Sequence, residues 1–413
     1  MNNMKKLGEF ITTRKGYAFK SKWFTDYGVP VVKATNFTDD SIDISSTQFV
    51  SEDIARQYKE WKIRTGNVVV QTVGSWPSSA ASVVGKCIRV PEEANGALLN
   101  QNTVILNCKR GLYEDYLYYS LRDRRFSTFI ENRARGSANQ ASITLDDIRE
   151  FEIFSHDDKH QLEIGRVLRK YDDLIENNKR RIELLEESAR QLYKEWFVRF
   201  RFPGHEHVKI IDGVPEEWTK GSVGDIASIF SGYAFKSKDW LDQGNPVIKI
   251  KNITEKNTVD ISDCQCVDDN VAEKAIKFKL LAEDMLIAMT GATVGKVGLL
   301  PSSDRTFYLN QRVGKFVSKL ERSATPLLLP FFNSEKAQAS IANLAGGAAQ
   351  PNISAKQIES IELPIPPKSI LDTYLDEIDS SFELRSNLVD QNLRLTQARD
   401  LLLPKLMSGE IAV

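Results

Sequence analysis

The chain has 413 residues, a formal charge of −1, 41% hydrophobic and 27% charged residues, which predicts two or three globular domains rather than one core. No stretch approaches the roughly 18–20 apolar residues that span a bilayer, MNNMKKLGEF has neither the apolar core nor the cleavage site of a signal peptide, and Cys87, Cys108, Cys264 and Cys266 do not make a disulfide framework. A cytoplasmic protein with no membrane partner is the expectation, and a near-neutral total leaves room for one basic face that binds nucleic acid.

In chain order, the block Gly16-Tyr-Ala-Phe-Lys-Ser-Lys22 comes first. Apolar runs at Pro30–Thr35, Asn67–Thr72 and Thr103–Cys108 predict strands, and Tyr113–Asn132 predicts a helix. From Glu163 to Phe197 the sequence has no proline and no glycine after Gly165. Its apolar seam runs Ile164, Leu168, Tyr171, Ile175, Asn178, Ile182, Leu185, Ala189, Leu192, Trp196, in alternating steps of four and three. That spacing stays on one stripe of a helix lying along a partner helix, and Asn178 is the polar seam residue of the kind that selects register. Pro203-Gly204 and Asp212-Gly213 mark a linker over 199–218.

The chain then repeats. Gly232–Lys238 copies Gly16–Lys22 letter for letter; Pro246-Val-Ile-Lys249 answers Pro30-Val-Val-Lys33, and Asn252 answers Asn36. Val294-Gly-Lys296 matches Val84-Gly-Lys86, and Leu309-Asn-Gln311 matches Leu99-Asn-Gln101. Gly346–Gln350 with Ile353 matches Gly136–Gln140 with Ile143. A second long helix follows Pro364-Ile-Pro-Pro367, with a seam at Leu371, Leu375, Ile378 and Phe382. The seam then slips in phase to Leu384, Leu388, Leu395, Ala398 and Leu402, and Pro404 ends or kinks the helix. The expected fold is α+β: two similar mixed α/β domains separated by two long antiparallel coiled-coil helices, a pseudo-twofold tandem duplication. The boundaries are 1–157 for the first domain, 158–200 for the central helix, 201–366 for linker and second domain, and 367–413 for the last helix.

Two readers held by one rod would contact two DNA half-sites at a fixed spacing and combine their affinities. The candidate DNA-binding residues are Lys20, Lys22, Trp23, Lys33, Thr35 and Asn36, repeated as Lys236, Lys238, Trp240, Lys249, Lys251 and Asn252. Lysines suit phosphates, while Asn and Thr suit base edges. The competing reading is a structural turn with core aromatics Tyr17 and Phe19 and solvated lysines. Arg124, Arg125 and Arg135, with Arg122 and Arg133, give the first half an electrostatic footprint that the second half lacks; a solvated helix face fits them equally well. Thr290-Gly-Ala-Thr-Val-Gly-Lys296 is one residue short of a phosphate loop and has Val297 where Ser or Thr belongs, so it reads as a glycine turn. Cys264-Gln-Cys266 and His205-Glu-His207 lack metal partners at useful spacing. No catalytic residues, metal site or cofactor are expected.

These blocks, in this order and twice over, resemble the specificity subunit of type I restriction-modification systems across essentially the whole chain. The carriers are Gly16–Ser21 and Gly232–Ser237, Thr290–Lys296, the Asn-Gln pairs at 100–101 and 310–311, and Ala189-Arg-Gln-Leu-Tyr-Lys-Glu-Trp-Phe197 with Arg201–Gly204. The last helix carries Ala398-Arg-Asp-Leu-Leu-Leu-Pro-Lys-Leu406 with Ser408-Gly-Glu410. The first domain lacks the lead-in seen at Pro215-Glu-Glu-Trp218. The resemblance implies two target-recognition domains that each read half of a bipartite double-stranded DNA site, and helices that set the spacer. It also implies that the helices' outer faces dock two methyltransferase subunits, which use S-adenosylmethionine, and that two restriction subunits join that core. The alternative is a standalone or spare DNA-binding scaffold that exchanges recognition domains without its own methyltransferase.

Overall fold

A computed structural model of the chain describes residues 4–76, 83–137, 140–346 and 351–412. It divides into a first unit, Met1–Ile175 with Leu395–Val413, and a second, Glu176–Arg394. Each unit is built on the same plan. In the first, an antiparallel sheet has the order Ile11–Lys15, Thr103–Cys108, Val68–Gln71, Cys87–Arg89. A second sheet has the order Phe24–Thr25, Gln48–Val50, Val29–Val32, Leu98–Leu99, its last pair parallel. The second unit repeats the first sheet as Ala227–Ser231, Val313–Ser318, Met285–Ala288, Val297–Leu299. It also repeats the parallel pairing, between Asn245–Ile248 and Phe307–Leu309. An antiparallel pair closes each globular part, Met4–Lys6 with Glu152–Phe154 and Thr219–Ser222 with Glu362–Ile365.

The uninterrupted apolar runs follow from burial on both faces of a strand, whose side chains alternate sides. Val68 and Val70 join the core under the helices, while Val69 joins Val32, Ile88 and Ile105 on the other face. Met285 and Ile287 against Leu286 and Ala288 do the same in the second unit. The predicted helix over 113–132 is two, Glu114–Arg122 and Arg124–Arg133, because Asp123 leaves the helical conformation and its carboxylate accepts from the Arg125 amide. The second unit breaks likewise between Thr325–Phe332 and Glu335–Ala345, where Ser334 caps. The segment 199–218 is no loose linker: Phe197, Phe200 and Phe202 each pack on Trp218 at 5.2–5.6 Å.

The central helix runs Asp158–Tyr193 and widens into a π-helical turn over Lys194–Val198. The last runs Lys368–Ser408, continuing through Pro404. At ~1.5 Å per residue these are about 54 and 62 Å long. Both units contain a stretch of each helix, and within each the two stretches are antiparallel. In the first, Ile164 and Leu168 share a core with Leu403, Leu406 and Met407. In the second, Trp196 and Phe197 close on Tyr374 at 5.5 and 4.8 Å. Leu168, Ile175 and Asn178 are buried, while Tyr171, Ile182, Leu185 and Leu192 are half-buried.

The phase slip read in the last helix is not carried through its length. After Phe382 the buried positions Arg385, Arg399, Leu403 and Leu406 keep the original phase and Leu384 is exposed, while Leu388, read in the slipped set, is buried one residue out of step. Two seam positions are arginines, which an apolar pattern cannot register. Each has a carboxylate from the central helix: the Arg385 Nε donates to Glu186 at 2.8 Å, and the Arg399 Nη1 to Asp172 at 2.7 Å. The Asp172 carboxylate also accepts from the Tyr119 hydroxyl at 2.6 Å and lies 3.5 Å from Arg89, which ties the globular part to both helix stretches of the first unit. Burial pushes the Tyr118 phenol up to about 12 beside this network, so it stays neutral.

Removing one partner of such a pair strands a buried charge at a cost of about 3–5 kcal/mol, whereas replacing both with apolar groups is nearly neutral. Glu186→Leu is therefore expected to destabilise the protein by that amount, and Glu186→Leu with Arg385→Leu by much less. Urea unfolding of the two variants measures the difference.

Candidate nucleic-acid interface

Gly16 and Gly232 have to be glycine because the turn lies against the neighbouring backbone: a Cβ would stand 2.0 Å from the Asn100 carbonyl oxygen and 2.3 Å from that of Leu309. The Tyr17 amide then donates to Leu99 and the Tyr233 amide to Leu309, at 2.9 and 2.8 Å. Pinned in this way, the turn presents Lys20 and Lys22, or Lys236 and Lys238, to solvent.

Behind the lysines stands an aromatic group. Tyr17 meets Tyr58 at 4.4 Å, Trp61 at 4.9 Å and Trp23 at 6.3 Å, and Trp61 Nε1 donates to the Lys15 carbonyl. Phe19 is buried and Tyr17 half-buried, so the aromatics are largely structural while the lysines are not. Lys20 lies over Trp23 at 5.2 Å and Lys33 over Phe24 at 4.8 Å. The copy sets Lys249 over Trp240 at 3.2 Å. Burial, then the charges of Lys251 and Arg312, hold the Lys249 ammonium below its usual range. Lys251 is paired with Asp263 at 2.8 Å.

Asn36 and Asn252, candidates for addressing base edges, have their amides engaged inside the protein. Both are buried, at 5% and 3% exposure. The Asn36 Oδ1 accepts from the Lys33 amide at 2.9 Å and its Nδ2 donates to Ser46; Asn252 accepts from the Lys249 amide and donates to the Asp260 and Asp263 carbonyls. With donor and acceptor both committed, each asparagine closes its turn. Thr35, next to Asn36, is exposed.

The arginine helix is built into a different part of the first unit. Arg125 packs over Phe154 at 4.1 Å and Arg133 over Phe129 at 4.5 Å, while the Arg122 Nη1 donates to the Asp39 carbonyl. Arg125 is thus a packing residue; Arg124 and Arg135 are exposed. The glycine turn at 290–296 is structural, since a Cβ on Gly295 would lie 2.9 Å from Ile341, and one on Gly85 in the other copy 2.7 Å from Ile130. Portions of the Gly136–Gln140, Gly346–Gln350 and Gly74–Lys86 segments fall outside the described residues. Reading by blocks missed Tyr58 and Trp61, which lie some forty residues beyond the turn; the signal was Trp61 and Phe278 at matching places in the two copies.

Among the described residues, no group of three or more His, Cys, Asp or Glu side chains is placed to hold a metal, and no helix is long and apolar enough to cross a membrane.

The sequence model for "Type I restriction modification DNA specificity domain" matches residues 2–187 and again 215–387. The chain is 27% identical over 314 residues to the type I restriction enzyme MjaIX specificity subunit of Methanocaldococcus jannaschii, covering 74% of this chain and 71% of that one. It is 25% identical over 327 residues to the MjaVIII specificity subunit of the same organism, covering 76% and 75%. Among solved structures, the type I restriction-modification S subunit from M. genitalium superposes with a TM-score of 0.57 at 16% identity, covering 98% of this chain and 96% of that one. That last likeness is one of fold.

Asn36→Ala and Asn252→Ala are each expected to cost about 1–3 kcal/mol, the penalty for stranding buried backbone partners. Lys20→Ala and Lys22→Ala should stay within about 0.5 kcal/mol of the parent. Thermal unfolding of the four variants makes the comparison.

Proposed function

The chain belongs to the type I restriction-modification DNA specificity family, and from that premise we propose that each unit reads one half of a bipartite double-stranded DNA site. The observation that carries this reading is the duplicated turn, Gly16–Lys22 and Gly232–Lys238, held in the same fold twice with its lysines in solvent. Exposed Lys20, Lys22, Lys236 and Lys238 neutralise phosphates and place the unit on the duplex; such contacts position without selecting sequence. Arg124 and Arg135 add phosphate contacts for the first half-site only.

The paired helices set the unspecified spacer between the half-sites, and their outer faces dock two methyltransferase subunits, which two restriction subunits join. The chain contributes recognition and supplies no chemistry of its own; it works in the cytoplasm, where its DNA is. The seam supports the spacer role through a polar contact: Asn178, 4% exposed, donates to Gln391 at 2.9 Å and Asn392 at 3.0 Å. An apolar seam tolerates sliding by a heptad, but a buried amide that must find its acceptors does not.

Methylome sequencing of cells carrying this chain with a methyltransferase partner is expected to return two half-sites at one spacing; a continuous site, or none, would count against the reading. In the same assay Asn178→Leu should leave both half-sites intact and broaden the spacing, with stability kept or raised. A single unchanged spacing removes the register role from Asn178. For the lysines, Lys20→Ala and Lys236→Ala should weaken binding of the complex for all sequences alike and lower the slope of log K against log salt by about one each.

A further inference from the structure

The two units differ in chemistry at one face beside the lysine turn. In each, the strand before that turn is the outermost strand of the first sheet: among the described residues Ile11–Lys15 pairs with the strand Thr103–Cys108, and Ala227–Ser231 with Val313–Ser318. In each, a 3₁₀ turn stands beside the strand, Lys59–Trp61 and Ile276–Phe278, with its last ring against the turn's tyrosine, Trp61 on Tyr17 at 4.9 Å and Phe278 on Tyr233 at 5.6 Å. Arg14 and Phe230 occupy the same place on the edge strands, and both touch that 3₁₀ turn. The Arg14 Nη1 donates to the Glu60 carbonyl, and the Phe230 ring stacks on Phe278 at 5.3 Å with 25° between planes.

The chemistry of the two copies is opposite. Arg14 and Lys59 are exposed in the first unit. Their counterparts Phe230 and Ile276 are 41% and 50% exposed in the second. Large apolar side chains left in solvent as a contiguous group mark a contact surface. The copy points to the class of partner: exposed Arg14 and Lys59 stand at the 3₁₀ turn whose Trp61 packs on Tyr17, next to the turn that exposes Lys20, and such a cationic group fits a polyanion. The second face keeps exposed lysines around its apolar centre, at Lys236, Lys277 and Lys279.

We propose that Arg14 and Phe230 are sequence-reading residues at equivalent positions of the two units. Arg14 addresses a guanine edge in the first half-site, and Phe230 with Ile276 packs on a thymine methyl in the second. The major groove offers both features, the O6 and N7 acceptors of guanine to a guanidinium and the thymine C5 methyl to an apolar side chain. One scaffold thereby reads two different half-sites by exchanging charge for hydrocarbon at a single place. This proposal rests on the reading that each unit binds DNA.

The test is methylome sequencing of the complex carrying Arg14→Phe or Phe230→Arg, with Arg14→Gln and Phe230→Leu as milder replacements at the same exposed positions. Arg14→Phe and Arg14→Gln should relax one or more base positions of the first half-site by about fivefold to 150-fold, with the second half-site and the spacer unchanged. Phe230→Arg should do the reverse, and Phe230→Leu should weaken the same second-half-site position less. Four variants that retain the parental recognition sequence overturn the proposal while the two-half-site reading stands. A parental complex with no bipartite sequence overturns that reading first, and the proposal with it. Loss of a co-purifying protein from Phe230→Arg with its half-site unaltered assigns the face to a protein partner instead.

Discussion

Two helices with apolar residues every three or four positions have to lie side by side, because neither can leave its stripe in water. The remaining architecture follows from that pairing. In the first unit, Ile164 and Leu168 meet Leu403, Leu406 and Met407; in the second, Trp196 and Phe197 meet Tyr374, and both sets are continuous with the core of the globular part. Neither unit's core is complete without a stretch from each helix. Apolar matching alone would leave the register open by a heptad. The polar contacts across the pairing are Asp172 with Arg399, Asn178 with Gln391 and Asn392, and Glu186 with Arg385. Such contacts add little net stability, and the proposed register role rests on them because a shifted helix would leave them unpaired.

The duplication separates what a scaffold needs from what a reader needs. The letters shared by the two copies are the ones the backbone demands. Gly16 and Gly232 touch a neighbouring carbonyl, Gly85 and Gly295 touch an isoleucine, and Asn36 and Asn252 satisfy the turn that carries them. The identity that made these blocks conspicuous thus reports mostly on folding. On that frame the copies differ in chemistry at Arg14 against Phe230 and at Lys59 against Ile276, the exchange proposed above to separate the two half-sites. The lysines of the turn are shared and exposed in both copies, which fits the proposed contact with phosphate, a group common to every DNA sequence.

The same reasoning explains which candidate residues changed meaning. Asn has the right groups for an adenine edge, but the amide is equally suited to closing a 3₁₀ turn, and sequence carries no measure of whether it is buried. Arginine in a helix suits a phosphate backbone and also stacks on rings: Arg125 lies over Phe154, whereas Arg124 beside it is exposed. Side-chain type limits what a residue can contact. Its neighbours in space select among those contacts.

By itself the sequence determined the duplication, the α+β class, the strands at the apolar runs, the central helix and its seam, and the family. Each of these is a property of periodicity or of ordered identity, and both survive in one dimension. Only the tertiary structure decided that Arg385 and Arg399 sit in the seam, since a buried cation is stable there only with Glu186 and Asp172 opposite, some two hundred residues away in the chain. It likewise decided that the Asn36 and Asn252 amides are engaged in their own turns and that Arg14 and Phe230 each touch a 3₁₀ turn. Burial and pairing are relations between distant residues, so no local pattern could record them.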